Sequence, residues 1–513
     1  MPLKRIAIVV HGWLGVAFCL FFLLWFPSGI GMMYWDFPGV TAADRLDRSP
    51  VLEPSTIRLS PAEAFTALTP SEPPAEVRLT TFDGRPAYRF RAGRDERIVY
   101  ADTGDRQLTV PGDMALRIAS AWVGQPPGAA TVETIEDADQ WTVEASFRAL
   151  RPLSKYSWPN GEHVYVSTVT GDIVQHTTAA SRAGAYLGPI PHWLYFTPLR
   201  KHERQWSRVV IWSSGLGTCG ALLGLLVGAS MYSPSRQYRH AGAATRIPYR
   251  GPKRWHMTLG LIFGLGAATW AFSGMLSMDP FPAAGTGGSA AERGGVAAGI
   301  SQALRGRPEL ARFAGAHPRD VLSRVPDLRI TELELTTFAG EPAYVAHLGG
   351  GGTRIAALDG HVRAEFDRQR IAEIARQAAA PIGLADVRVL DRYDVYYLDR
   401  HRHLPLPVIV VTLNDEGRSR YYIDPKTARV AGTYSPRDWI ARWLYHGLHS
   451  LNFPWLYEHR PAWDIVVITF MLGGTALAGT SLVLAWRVLV RALTGSSPAA
   501  PGAGATSAGR VSS

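Results

Sequence analysis

Leu79-Thr-Thr-Phe-Asp-Gly-Arg-Pro-Ala-Tyr88 recurs as Leu335-Thr-Thr-Phe-Ala-Gly-Glu-Pro-Ala-Tyr344, 256 residues further along a chain of 513. Two more registers agree with it. His192, Leu194, Phe196, Leu199, His202 and Trp206 return 257 residues later as His449, Leu451, Phe453, Leu456, His459 and Trp463. His11, Gly15, Ser28 and Gly29 return 245 residues later as His256, Gly260, Ser273 and Gly274. Chance does not keep three such registers in order, so the chain reads as two copies of one plan.

Four apolar runs set that plan: 6–26, 209–232, 257–278 and 465–486. Each is long enough to cross about 30 Å of hydrocarbon as a helix. Charged residues make up 19% of the chain, below the quarter or so usual for soluble domains. With 16 Trp, 19 Tyr and 18 Phe the chain has too much to bury to be disordered. Its two cysteines, Cys19 and Cys219, both lie in apolar runs, which excludes a disulfide scaffold, a CxxC pair and a cysteine zinc site. Lys4 and Arg5 would suit a signal peptide, but the run after them exceeds an ordinary h-region. The residues that follow, Pro27-Ser-Gly-Ile-Gly-Met-Met-Tyr-Trp-Asp36, offer no A-x-A cleavage site. An uncleaved anchor is expected, with Trp25, Tyr34 and Trp35 at the interface.

Charge gives the orientation. Residues 1–35, 233–255 and 465–513 hold eleven Lys and Arg and no Asp or Glu, which leaves the rest of the chain at −1 of the net +10. Positive residues stay inside, so the basic balance is a topology signal and nucleic acid need not be invoked. The expected order is helix 1–35 with a cytoplasmic N-terminus, an outer domain 36–207, helix 208–232, a basic cytoplasmic loop 233–255, helix 256–278, an outer domain 279–463, helix 464–490 and a disordered cytoplasmic tail 491–513. In a Gram-negative cell this is a multi-pass inner-membrane protein with its large domains in the periplasm. Each outer domain halves again. Helix signals at Ser60-Pro-Ala-Glu-Ala-Phe-Thr-Ala-Leu68, Pro111-Gly-Asp-Met-Ala-Leu-Arg-Ile-Ala119, 296–304 and 371–379 each precede alternating strands. Small α+β modules are expected, each an antiparallel sheet covered by a helix.

His11-Gly-Trp-Leu-Gly15, the tyrosine strand and turn Tyr165-Val-Ser-Thr-Val-Thr-Gly171, Pro191-His-Trp-Leu-Tyr-Phe-Thr-Pro-Leu-Arg200 and Trp443-Leu-Tyr-His-Gly-Leu-His-Ser-Leu-Asn-Phe-Pro-Trp-Leu-Tyr457 resemble PepSY-associated transmembrane proteins. The resemblance runs nearly to the tail. It implies four transmembrane helices plus two α+β periplasmic PepSY-like domains. Some relatives are iron-regulated inner-membrane proteins, and others are ferrisiderophore reductases with two b-type haems. PepSY modules also serve as binding or inhibitory domains of peptidases, so the chemistry rests on residues.

Within the apolar runs and their edges the histidines are His11 and His256, at matching repeat positions near the cytoplasmic ends. An imidazole in hydrocarbon is costly unless it is used. A repeat-related pair can ligate one haem iron from both faces, with the other ring nitrogen held by an acceptor. A second set precedes the second and fourth runs: His192, His449 and His446, with His202 and His459 beyond them. His192 and His449 are the expected ligands of a second haem, with His446 able to replace or join His449. His202 and His459 sit among charges and read as a solvated face. Aromatics between these histidines suggest amphipathic interfacial helices.

Gly215-Leu-Gly-Thr-Cys-Gly220 matches G-x-G-x-x-G but lies inside an apolar run with no strand before it, so it is no dinucleotide site. Gly220, Gly224 and Gly228, like Gly260 and Gly264, are small steps that let helices approach or leave room for a flat macrocycle. Asp399, His401 and His403 could hold a metal or an anion, but a charged strand-turn on a solvated edge is the plainer reading. The expected function is electron transfer through two b haems to a periplasmic ferric siderophore, supplied by quinol or a separate reductase. The alternative is a non-catalytic membrane protein that binds a peptide or protein partner and regulates. A transporter is the weaker third reading, because the runs lack acidic residues for coupling and show no broken-helix pair.

Overall fold

The structure, a computed structural model, describes residues 2–68, 72–93, 95–235, 238–240, 243–280, 290–358, 360–399 and 401–494. The chain forms two compact units, Met1–Ile30 with Ile211–Met275 and Ile465–Ser513, and Gly31–Val210 with Leu276–Asp464.

The first unit is built on four long helices, Pro2–Gly31, Glu203–Met231, Pro252–Leu276 and Ala462–Thr494. The first and last contain their apolar runs whole, while the second and third begin before theirs and stop at Met231 and Leu276, one and two residues short of the run's end. The last helix continues into the stretch read as a tail, and the remainder of that tail lies outside the described residues. The helices are apolar all round, yet only 6% to 39% of their most apolar stretches is covered by protein. Water would not support that much bare hydrocarbon, so lipid covers it, and the chain is a multi-pass membrane protein. The helices meet where a large side chain sits over a glycine. A Cβ on Gly474 would come within 2.6 Å of Phe26, one on Gly473 within 2.4 Å of Phe263, and one on Gly224 within 2.5 Å of His11. Small residues thus set how closely the helices pack.

The second unit is α+β. Its largest sheet is antiparallel, in the order 362–363, 353–357, 341–348, 330–338, 76–82, 85–92, 95–100 and 106–107, with 305–306 also on Ile330–Phe338. The two long outer segments therefore share one sheet. Their contact is the pair Glu76–Phe82 and Ile330–Phe338, in which Val77 lies opposite Leu335, Arg78 opposite Glu334 and Leu79 opposite Leu333. The quoted repeat explains the shape on both sides of this seam. Asp83-Gly84 and Ala339-Gly340 adopt the left-handed backbone that turns each strand back on itself, forming hairpins 76–92 and 330–348. Val77, Leu79, Tyr88, Leu333, Leu335 and Tyr344 pack into one core.

Two four-stranded antiparallel meanders complete the unit, 131–135, 153–157, 163–167 and 173–177, and 384–390, 408–413, 420–424 and 429–434. The helix Gly112–Val123 lays Ala115, Ala119 and Trp122 on the first, against Tyr156, Val164 and Val166. The helix Arg368–Ala378, capped by the Asp367 carboxylate accepting from Arg370 N, lays Ile371, Ile374 and Ala375 on the second, against Ile409, Val411 and Ile423. A helix period of 3.6 against a strand period of 2 gives each element one apolar face, and joining those faces makes the core.

Candidate functional site

His11 and His256 stand in the first unit on the first and third long helices, with ring centroids 6.1 Å apart and planes tilted by 34°. Each ring is held by its Nδ1. His11 Nδ1 is 3.0 Å from the Gly220 carbonyl oxygen; a carbonyl only accepts, so Nδ1 carries the proton and donates. His256 Nδ1 is 3.2 Å from Thr480 Oγ1 and 3.4 Å from Ser481 Oγ. Both hydroxyls donate to the Leu477 carbonyl, at 2.7 and 3.1 Å, so they accept from His256 Nδ1–H. In both rings the tautomer that results leaves Nε2 with its lone pair available. Gly224 clears the space that His11 occupies.

The pair lines a cavity of about 540 Å³ bounded by residues from all four long helices, among them Leu14, Phe22, Leu225, Leu261 and Leu477. That volume lies within the range of cofactor pockets. The walls are apolar, whereas the basic residues Arg250, Lys253, Arg487 and Arg491 border the same cavity.

The outer set lies in the second unit. His192 is on the short helix Pro189–Trp193, and His449 on Leu448–Ser450, just after the π-helix Ile440–Gly447 that carries His446. The His192 and His449 ring centroids are 5.9 Å apart at 65°. The expected amphipathic helices are broken into these short turns by Leu194 and Leu451, repeat-equivalent residues that both take a positive φ, 55° and 47°. The same equivalence appears in two hydrogen bonds: Trp206 Nε1 donates to Trp193 O at 2.7 Å and Trp463 Nε1 to Ser450 O at 3.1 Å. Gly188, which begins the His192 helix, rests on the Gly31 backbone with no room for a side chain.

Tyr445 stands between the two histidines of the second copy, its ring 5.5 Å from His449 and 4.7 Å from His446. It was not singled out in the sequence, where it is one aromatic among many; the wide π-helical turn is what aims it. Burial pushes its phenol up, and burial together with Arg442 pushes His446 down, so His446 is a neutral imidazole at neutral pH. His202 and His459 are exposed. His401 and His403 are exposed too, and the Asp399 carboxylate accepts from the backbone N–H groups of His401, His403 and Leu404 at 3.1, 2.5 and 3.1 Å. That carboxylate is committed to a turn.

Each of the two pairs offers two imidazole rings side by side. Two imidazoles on one metal, at bonds of about 2.0–2.1 Å, place their ring centroids about 6 Å apart, and both pairs have that spacing. Among the described residues no cluster of three or more His, Cys, Asp or Glu is arranged to share an ion. A macrocycle that supplies four ligands of its own would need two from the protein, the number each pair could give. Comparison with models of known families and with curated proteins returned no match to this chain.

Proposed function

We propose that this chain is an inner-membrane, PepSY-type di-haem b protein that passes electrons across the membrane to a periplasmic ferric siderophore in iron uptake. On this reading the termini and the basic loop are cytoplasmic, the α+β unit is periplasmic, and the two halves are copies of one ancestral plan related by a local twofold. Quinol or a reductase partner supplies the electrons.

The observation that carries the reading is the recurrence of one ring separation in two repeat-equivalent histidine pairs, although their planes are tilted by 34° and 65°. His11 with His256 and His192 with His449 are repeat-equivalent pairs, and their ring separations of 6.1 and 5.9 Å both suit bis-imidazole ligation. His11 and His256 would hold one haem in the helix-lined cavity, and His192 and His449 the other, with His446 beside it. Haem, when bound, supplies one-electron chemistry whose potential follows from its axial ligands and burial.

The chain's own residues do the rest. Gly220, Thr480 and Ser481 accept the Nδ1 protons and so keep Nε2 basic and aimed. The apolar walls exclude water, which keeps the local dielectric low. A reduced-minus-oxidised spectrum of the purified protein, followed by addition of a ferric chelate to the reduced form, tests this. A b-type difference spectrum that is bleached by the chelate is expected; colourless protein from haem-replete cells overturns it.

A further inference from the structure

The second unit leaves large apolar side chains bare in the segments that adjoin the long helices. Tyr34 and Trp35 follow the first long helix, Phe196 stands seven residues before the second and Trp455 seven residues before the fourth. All four are exposed, Trp455 to 69%. Tyr186 and Leu187, at the end of the helix Ala179–Leu187, are exposed too, Leu187 to 60%. These segments touch one another. Gly184 lies against the Trp35 ring, and the Leu187 backbone meets Gly31. Tyr186 packs on Trp141, Trp141 on Phe37, and Phe37 on Tyr195 next to Phe196, with ring centroids 5.7, 6.0 and 5.4 Å apart. Trp455 lies on the equivalent segment of the second copy, which meets the first where His449 faces His192.

Apolar residues bare one at a time need no explanation, but a connected set marks a surface that meets something other than water. Exposed charges of both signs stand beside it, Lys201, His202, Glu203 and Arg204 in one copy and Glu458, His459 and Arg460 in the other. Tryptophan and tyrosine rings among such charges match the layer of a bilayer where headgroups meet acyl chains. The long helices into which these segments run need lipid on their bare flanks, so the surface is continuous with one that lipid already covers. We infer that Tyr34, Trp35, Tyr186, Leu187, Phe196 and Trp455 seat the α+β unit in the phospholipid headgroup layer of the bilayer that the long helices cross. His192 and His449, on the same segments, then lie at the membrane surface and not out in the aqueous part of the unit. This seat requires no haem at either histidine pair.

The experiment uses the full chain in phosphatidylcholine nanodiscs, with Cys19→Ala and Cys219→Ala as background and a single nitroxide-labelled cysteine at Leu187→Cys, Trp455→Cys or Val132→Cys. Val132 is the reference, an apolar residue as exposed as these but on the strand Thr131–Ile135, which adjoins no long helix. Spin relaxation by oxygen, which concentrates in lipid, is compared with relaxation by a water-soluble nickel chelate. The oxygen-to-nickel ratio is expected to be several-fold higher at Leu187→Cys and Trp455→Cys than at Val132→Cys, as for side chains sunk into the headgroup boundary. Both are surface positions on different copies, so each reports independently and neither label disturbs the core. Ratios equal to that of Val132→Cys would leave the surface in water and overturn the seat. Low accessibility to both reagents would put a protein partner or a second copy there and overturn it as well.

Discussion

Gly224 faces the imidazole of His11 so closely that a Cβ there would lie 2.5 Å from His11 Cε1 and 3.1 Å from both ring nitrogens. The small residue on the second helix therefore sets the position of the histidine on the first. Gly224→Ala should displace the ring or force the helices apart, at about 1–3 kcal/mol for an overpacked contact. The expected result is protein that still inserts in the membrane but carries one haem fewer, seen by pyridine-haemochrome analysis against folded yield. Full haem content in this variant would show that His11 need not sit where it does.

The hydroxyls of Thr480 and Ser481 accept from His256 Nδ1–H while donating to Leu477 O. Either alone can serve, so the informative change is Thr480→Val with Ser481→Ala. Loss of this orienting hydrogen bond should weaken haem binding at the inner pair about 10–100-fold, read as faster transfer to apomyoglobin. The outer centre should be unaffected.

In the α+β unit, stability should fall in two separate acid windows. His163 is pushed down to about 4, chiefly by burial and also by Arg182 and Lys155. It is neutral in the fold and charges more readily when unfolded, so its contribution is full above about pH 6.5 and is lost as pH falls toward about 4. Glu334 is held below the usual carboxylate range: burial opposes this, but His347, Arg305 and Arg429 outweigh it. Its contribution is full above about pH 4.3 and is lost only as pH drops through its lowered native value. Thermal melting against pH checks both. His163→Asn should remove the upper limb and Glu334→Gln the lower.

Glu334 also ties together parts of the second outer segment beside the seam, through Arg305, Arg429 and His347. It is buried, accepts from Arg305 Nη2 at 2.6 Å and from Arg429, and lies opposite Arg78 in the strand pair. Removing a buried carboxylate strands its partners, so Glu334→Ala should cost about 3–5 kcal/mol. Thermal melting checks this, and a variant as stable as wild type would show that the buried ion cluster around Glu334 adds nothing to the fold.

The four long helices were legible because length and uniform hydrophobicity need no partner to be recognised. The histidine pairs were legible because the repeat placed each residue opposite its own equivalent. The shared sheet was not. Residues 76–82 and 330–338 read as ordinary half-buried strands, and nothing local says that their free edges meet each other across some 250 residues. Tyr445 escaped notice because its place depends on a π-helix, which no spacing rule announces.

Counting haem in three proteins, wild type, His11→Ala and His449→Ala, tests the central claim most directly. Pyridine-haemochrome analysis should give two b haems per wild-type chain and one in each variant, with a different absorption band lost in each. No haem in wild type, or unchanged haem in both variants, would contradict the assignment of these histidines as ligands.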